Sequence, residues 1–268
     1  KDRERATLKT VKVAPGRGVI IAGSPTRGSK PPDGGHMYGI SAEYYDIVYG
    51  SKKYEREAHV VQRMIAERRP GSQSMLDVGC GTGAHDLHLS RYYEVDGIDL
   101  NGGFLAKARE RNPRGHYSLG DMRDFSLDRM YDVVVCLFSS IGYVQTLDNV
   151  RKVLVRFREH LAEGGLVFVE PWITPDEWVP DRLEVLNAER DGIKICRMGH
   201  SVVRAGISLN RCEYLVGTEV GIQHYTEVHE IGLFTVVEMQ EAFAAAGLVV
   251  EYDPIGLMER GLYIGKKK

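Results

Sequence analysis

The spacing of apolar and polar residues changes twice along this chain. Through residue 36 it shows no sustained period. "PGRGVIIAGSPTRGSKPPDGGH" is rich in Gly, Pro, Ser and basic residues. It reads as a flexible tail or an expression-derived segment, with "GGHM" as the junction and Met37 as a candidate natural start. From Tyr38 the pattern becomes regular. "SAEYYDIVY" and "KKYEREAHVVQRMIAERR" have helical spacing, the second with Ala58, Val61, Met64 and Ile65 on one side and Pro70-Gly71 as its stop. Four apolar runs then predict strands: Ser74–Val78, Glu94–Asp99, Val133–Phe138 and Leu166–Glu170, with His116–Leu119 as a weaker fifth. Helices are predicted between them over Gly83–Arg91, Phe104–Arg111 and Asp148–His160, the last closing on the glycine stop of "LAEGG". Such strand–helix alternation predicts a doubly wound, mainly parallel α/β sheet.

After Pro171 the period drops to two. "GIKICRMGHSVVRAGISLNRCEYLVG" and "IQHYTEVHEIGLFTV" alternate apolar and polar residues and break at Gly206 and Gly217. This predicts a small antiparallel sheet inserted beside the main one. A helix over Val237–Ala246 and strands over Leu248–Tyr252 and Gly261–Ile264 close the pattern.

Composition narrows the function classes. The 268 residues carry a formal net charge of -2, so no strong field is expected for gathering nucleic acid or an anionic membrane. No apolar run approaches the ~18 residues of a membrane span, and no secretory signal is visible. Cys80, Cys136, Cys196 and Cys212 lack metal-type pairing, and a reduced, cytoplasmic chain is the expectation. His200, His224 and His229 fall in the insertion without Cys or carboxylate partners at ligand spacing, so no metal site is expected. His200 or His229 could still accept a proton near a substrate. His85 and His88 read as surface residues, and Arg68-Arg69 as solvated charge.

The chemistry concentrates at the carboxyl ends of the predicted strands. "MLDVGCGTGAHDL" runs from a strand into three glycines, and Gly79, Gly81 and Ala84 satisfy the dinucleotide pattern G-x-G-x-x-G/A. Asp77 argues against a dinucleotide. A carboxylate beside a pyrophosphate would be repulsive by on the order of a kcal/mol or more. S-adenosylmethionine (SAM) has no phosphate and offers an ammonium that a carboxylate can hold. Asp99 ends the next strand, where it can accept from ribose hydroxyls, as it could in an NAD enzyme. Asp121 follows the weak third strand, able to accept from an adenine amino group with Met122 on the ring. "CLFSSIGY" ends the fourth, offering Phe138 and two hydroxyls.

The strings "LDVGCGTG", "GIDL", "GDMRDFSLD", "FSSIGY" and "VEPW", in this order, resemble class I SAM-dependent methyltransferases. With "AEYYD", "KKYEREA", "GHSVVRAG", "HYTEVHEIGLF", "EAFAAAGLVVEY" and "ERGLYIG", the chain is similar from Met37 onward to the N,N-dimethyltransferases of nucleotide-linked amino sugars, such as those of dTDP-desosamine and dTDP-mycaminose biosynthesis. The resemblance implies a Rossmann-like class I fold: a mainly parallel seven-stranded sheet with an inserted antiparallel sheet, commonly as a homodimer. It implies a SAM-binding core over 37–173, a substrate-side insertion over 174–235, and a return to the core over 236–268. It implies that Tyr45 and Tyr54 touch the SAM methionine end, Gly79 and Gly81 line the loop, Asp99 holds the ribose, and Asp121 and Met122 meet the adenine; Leu100 and Phe138, at the same strand ends, are read as cofactor-binding as well. Tyr143 matches a position near the transferred methyl, and Tyr38, across a one-residue gap, a tyrosine at the active-site mouth. Trp172, Ser201, His229 and Arg260 match the substrate side. At pKa ~10 a tyrosine is a poor base at neutral pH, so Tyr143 and Tyr38 are read as positioning groups. Two departures fall on the acceptor side: Ile173 stands where the family has a second Trp, and "IGLMERGL" replaces "GGPSGRGL" before Arg260. Three alternatives stay open: a methyltransferase of another small amine or hydroxyl, a non-catalytic SAM-binding protein, and an NAD oxidoreductase.

Overall fold

The computed structural model describes residues 42–268. The expected tail and Tyr38 lie outside the described residues. Strands β1 (Ser74–Val78), β2 (Glu94–Asp99), β3 (Tyr117–Leu119), β4 (Tyr131–Cys136) and β5 (Leu161–Val169) alternate with helices α3 (Asp86–Leu89), α4 (Gly102–Arg111) and α5 (Leu147–Glu159). Two helices, α1 (Ala42–Val48) and α2 (Tyr54–Arg68), precede them. Four antiparallel strands follow: β6 (Arg182–Arg190), β7 (Ile193–Arg204), β8 (Ile207–Thr218) and β9 (Gly221–Gly232). Helix α6 (Val236–Ala245) and strands β10 (Leu248–Asp253) and β11 (Leu262–Lys267) end the chain. The main sheet has the order β10-β11-β5-β4-β1-β2-β3, with β11 antiparallel to its two neighbours and the other pairings parallel. Strand order reverses between β1 and β4, which opens a crevice at their carboxyl ends.

Both faces of the sheet are covered, which is why its strands are almost continuously apolar. In β4, Val134 and Cys136 belong to one core cluster, Val133 and Val135 to the other. Helix α5 supplies Val150, Val153, Leu154 and Phe157 to the first, a spacing of three and four that lays one stripe on the sheet. Helix α2 supplies Ala58, Val61 and Ile65 to the second. In a third cluster, Ile47 and Val48 of α1 lie against Ile195, Cys212, Tyr214 and Val216 on the inner face of the antiparallel sheet.

Local differences from the sequence pattern have physical causes. The helix after the glycine loop is a single turn, because left-handed Gly79, Gly81 and Gly83 (φ +78°, +56° and +69°) delay its start. "LAEGG" is no helix stop: α5 ends at Glu159, and the glycines form a bulge inside β5, where pairing jumps from Tyr131↔Leu161 to Val133↔Leu166. Strand β4 ends two residues early because Phe138 and Ser139 turn left-handed (φ 52° and 64°). Strand β6 lies outside the run read as alternating. Its hairpin turns on Asp191-Gly192, both left-handed, and "DG" is itself a hairpin signal. The last hairpin turns between Thr218 and Gly221, past Gly217, which stays in the ladder.

Candidate active site

The glycine loop is shaped by its neighbours. Its Gly79 and Cys80 N–H groups both donate to the Ile98 carbonyl at the end of β2, at 2.8 and 3.1 Å. A Cβ on Gly79 would stand 2.7 Å from Ser140 Cβ and 3.6 Å from Met122 Cε, so the loop, the β3 end and the β4 end meet here. A Cβ on Gly81 would meet nothing within 4 Å, so its outer side faces open space. Thr82 fixes the loop to α1: its hydroxyl donates to Asp46 Oδ1 at 2.7 Å, while Arg111 donates to the Thr82 carbonyl and hydroxyl and to Asp46 Oδ2.

Asp99 ends β2 beside this opening and accepts from the Gly81 N–H at 2.9 Å and the Asn101 N–H at 2.8 Å. Burial raises its pKa, and those backbone donors oppose the rise. Each carboxylate oxygen keeps a further lone pair, which suits a diol. Leu100 is exposed beside it, and Asn101 caps α4 by accepting from the Gly103 and Phe104 N–H groups. Tyr45 packs on Phe104, ring centroids 4.8 Å apart, and Tyr54 stands edge-on to His85 at 4.8 Å.

Two acidic residues have close neighbours of their own. Asp77, read as a carboxylate for the ligand's ammonium, is 2% exposed, and its Oδ1 is buried without a hydrogen-bond partner among the described residues. Burial and the neighbouring Asp86 raise its pKa, and burial raises that of Asp86 to about 6. The two carboxyls share a proton beneath the loop, and Asp86 also accepts from the Tyr117 hydroxyl at 2.9 Å. Asp121 is also engaged. Its carboxylate accepts from the Arg123 backbone N–H and forks with the Arg123 guanidinium, whose hydrogen bonds hold its pKa down. Arg123 thus holds the carboxylate expected to meet an adenine amino group.

A second cluster lies beyond the ends of β4 and β5. The Phe138 ring, read as a cofactor-side residue at the fourth strand end, stands 5.2 Å from Tyr49, 4.4 Å below the Lys52 ammonium and 5.9 Å from the Arg260 guanidinium. Arg260 also lies 4.7 Å over Trp172 and donates to the Ser139 hydroxyl at 3.1 Å. The Phe138 N–H donates to Glu170 Oε2 at 2.6 Å, leaving Oε1 buried and without a hydrogen-bond partner among the described residues. Trp172 Nε1 is buried in the same condition. Lys52 is ion-paired to Glu57, which in turn meets His85 Nε2 at 2.8 Å. His85 is thus a buried link, not the surface residue expected. Arg69, half-buried, ion-pairs with Asp132, whose other oxygen accepts from the Gln73 and Ser74 N–H groups. Neither link has a sequence signal, since their partners lie 28 and 63 positions away.

Tyr143 belongs to a 3-10 turn, Ser140–Val144, docked on β9. Its hydroxyl lies 3.1 Å from His229 Nδ1. His229 pairs across the sheet with Asn210, and Asn210 with Ser201, so His229 and Ser201 share one row of the inner face. The segment Phe138–Tyr143 therefore touches the glycine loop through Ser140, Arg260 through Ser139 and the insertion through Tyr143.

The residues present fit SAM better than a dinucleotide. The loop presents an open glycine backbone and a diol-competent Asp99. The following helix is one turn long and carries a buried carboxyl, Asp86, in place of an available N-terminus for pyrophosphate. A methyltransferase-domain family model matches residues 75–165. The chain is 40% identical over 231 residues to the dTDP-3-amino-3,6-dideoxy-alpha-D-glucopyranose N,N-dimethyltransferase of Streptomyces fradiae, covering 85% of this chain and 91% of that one. Its fold is similar to that of Streptomyces venezuelae DesVI, with TM-score 0.81 and 36% identity over 86% of this chain and all of that one. It also matches a SAM-bound amino pentose methyltransferase of Micromonospora echinaspora involved in calicheamicin biosynthesis, with TM-score 0.77 and 31% identity over 85% and 98% of the two chains. The loop, the sheet order and similarity running through the insertion lead to one conclusion: the chain belongs to the class I SAM-dependent methyltransferases, in the family of the dTDP-amino-sugar N,N-dimethyltransferases.

Proposed function

We propose that this enzyme methylates the amino group of a dTDP-linked amino deoxysugar, with a 3-amino hexose as the first candidate. The observation that carries this reading is the similarity to the S. fradiae enzyme, which extends through the antiparallel insertion as well as the cofactor loop. When bound, SAM supplies a methyl group on a sulfonium, and the transfer needs alignment and a nitrogen lone pair. The chain's own part is then largely proximity and orientation. Asp99 and the Gly79–Gly81 loop would hold the nucleoside side of SAM, with Tyr45 near its other end. Arg260, a guanidinium on the Trp172 face, suits an acceptor carrying a pyrophosphate. Tyr143 would orient the acceptor nitrogen, with the row of Ser201 and His229 across the insertion beside it.

We further read the enzyme as a cytoplasmic homodimer. The outer face of the antiparallel sheet leaves Leu183, Val185, Met198, Leu215 and Ile222 at least half exposed, an apolar surface suited to a second copy. The four cysteines are free, as a reducing compartment would keep them.

The test is release of S-adenosylhomocysteine with a panel of acceptors: dTDP-linked 3-amino and 4-amino deoxysugars, the free amino sugars, and simple amines and phenols. Turnover confined to dTDP-linked amino sugars is the expected result. Turnover of a non-nucleotide acceptor with none of the dTDP sugars would overturn it.

A further inference from the structure

Tyr143 does not stand alone against the acceptor site. It is the first member of a chain of three polar side chains that runs into the inner face of the antiparallel sheet. Its hydroxyl is 3.1 Å from His229 Nδ1, and the two rings meet edge-on at 70°. On the far side of the imidazole, His229 Nε2 lies 3.4 Å from Glu227 Oε2. Glu227 and His229 are two residues apart on β9 and so project to the same face. They are 5% and 6% exposed. Glu227 lies within electrostatic range of Tyr49, just past the end of α1, and of Cys212 and Tyr214 on β8. Arg197 on β7, hydrogen-bonded to the Tyr49 hydroxyl at 3.0 Å, is the cation of the group.

The geometry selects a tautomer. Nε2 lies 3.4 Å from a carboxylate oxygen, in ion-pair range but outside hydrogen-bond geometry, and a carboxylate only accepts, so the relay assigns the hydrogen to Nε2. Nδ1 then accepts from the Tyr143 hydroxyl. This is the polarity needed to move a proton away from Tyr143.

We propose that Glu227 and His229 form, with Tyr143, a proton relay for the acceptor amine. The proposal rests on the amine reading given above. An alkyl amine is largely protonated near neutral pH, and each methylation leaves a positively charged nitrogen that must lose a proton before the next. A neutral phenol is a poor base on its own, whereas the unprotonated nitrogen of a neutral imidazole offers a lone pair for the proton. The acceptor ammonium gives its proton to the Tyr143 oxygen as the phenolic proton passes to His229 Nδ1. The Glu227 carboxylate, 3.4 Å from Nε2, stabilises the resulting imidazolium by its charge. The freed nitrogen lone pair forms the N–C bond, and the electron pair of the breaking C–S bond stays on sulfur. His229 returns its proton to water after product release. His229 contacts Tyr143 rather than the reacting atoms, so it and Glu227 are positioning residues in this scheme.

The test has two arms. In the enzyme with 15N-labelled histidine, NMR should report His229 as the Nε2–H tautomer, with an Nδ1 resonance that shifts in Tyr143→Phe. An Nδ1–H tautomer would overturn the proposal, whatever the acceptor proves to be. In the second arm, Glu227→Gln and His229→Gln should each lower kcat by about tenfold or more. The KM for the amino sugar and the calorimetric affinity for SAM should both stay within about twofold of wild type. Glu227→Gln removes the charge that stabilises the imidazolium, so the acid limb of its kcat profile should move to lower pH. Wild-type kcat with an unmoved acid limb in both variants would overturn the relay. Failure of the amine reading shows separately, as turnover confined to other acceptors in the panel.

Discussion

Asp77 and Asp86 set the behaviour of the loop from beneath it. Burial penalises the charged form of both, so each holds its proton to higher pH than it would in the unfolded chain. A carboxyl whose native pKa is raised contributes stability that is complete below its unfolded value, about 4, and is lost as pH rises through the native one, about 6 for Asp86. The free enzyme should therefore lose stability as pH rises from about 4 through about 6 on account of Asp86, with the Asp77 share lost as pH rises further. Asp77→Asn gives Asp86 a permanent N–H donor in place of the shared proton, and should flatten that loss. Urea unfolding of both proteins at about pH 4.5 and about pH 8 measures it, and an unchanged difference between the two pH values would contradict the paired-carboxyl account. Legibility at this scale was uneven. The position of Asp99 could be read because it is fixed by the end of β2, where the structure has it beside the loop. The burial of Asp77 could not, because it depends on Asp86 in the next helix and on Tyr117 in the third strand. The pairing of Asp121 with Arg123 is hidden in the same way, in side-chain geometry that no spacing encodes.

The glycine loop is the element that distinguishes a cradle from a turn. Gly79 and Gly81 both have positive φ, but their surroundings differ. A methyl on Gly79 would press on Ser140, so Gly79→Ala combines backbone strain with a clash and should cost about 2–3 kcal/mol of stability. A methyl on Gly81 enters open space, so Gly81→Ala should cost only about 1 kcal/mol while lowering SAM affinity by about tenfold or more. Thermal unfolding paired with SAM calorimetry separates the two, and a Gly81→Ala protein that binds SAM as wild type would place the cofactor elsewhere. Most elements were legible because the main sheet is covered on both faces and reads as apolar runs, while the insertion alternates. The misses share one cause, which is backbone that turns left-handed. Gly83 shortened α3, Phe138 and Ser139 truncated β4, and the bulge at Gly164 turned a supposed helix stop into part of β5. Strained non-glycine residues such as Phe138 and Ser139 often mark functional sites, and here they carry the segment that joins loop, Arg260 and insertion.

For the molecule as a whole, one sheet edge collects the cofactor loop, a cationic aromatic pocket and the inner face of a second sheet. The apolar outer face of that second sheet gives the dimer reading a direct check. Leu215→Glu should convert a dimer to a monomer in light scattering while preserving the thermal unfolding of the core, and an already monomeric wild type would contradict it. The architecture was legible from strand–helix alternation followed by period-two runs, and the cofactor from the strand ends. The acceptor was less so, because Lys52, Glu170, Trp172 and Arg260 come together only through the fold. The amine reading is tested most directly by mass spectrometry of a dTDP-linked 3-amino deoxysugar incubated with the enzyme and SAM. The account predicts a product heavier by one and then two CH2 units, with both methyl groups on the sugar nitrogen. An unmodified sugar in the presence of an enzyme that binds SAM, or a methyl group on a sugar oxygen, would contradict it.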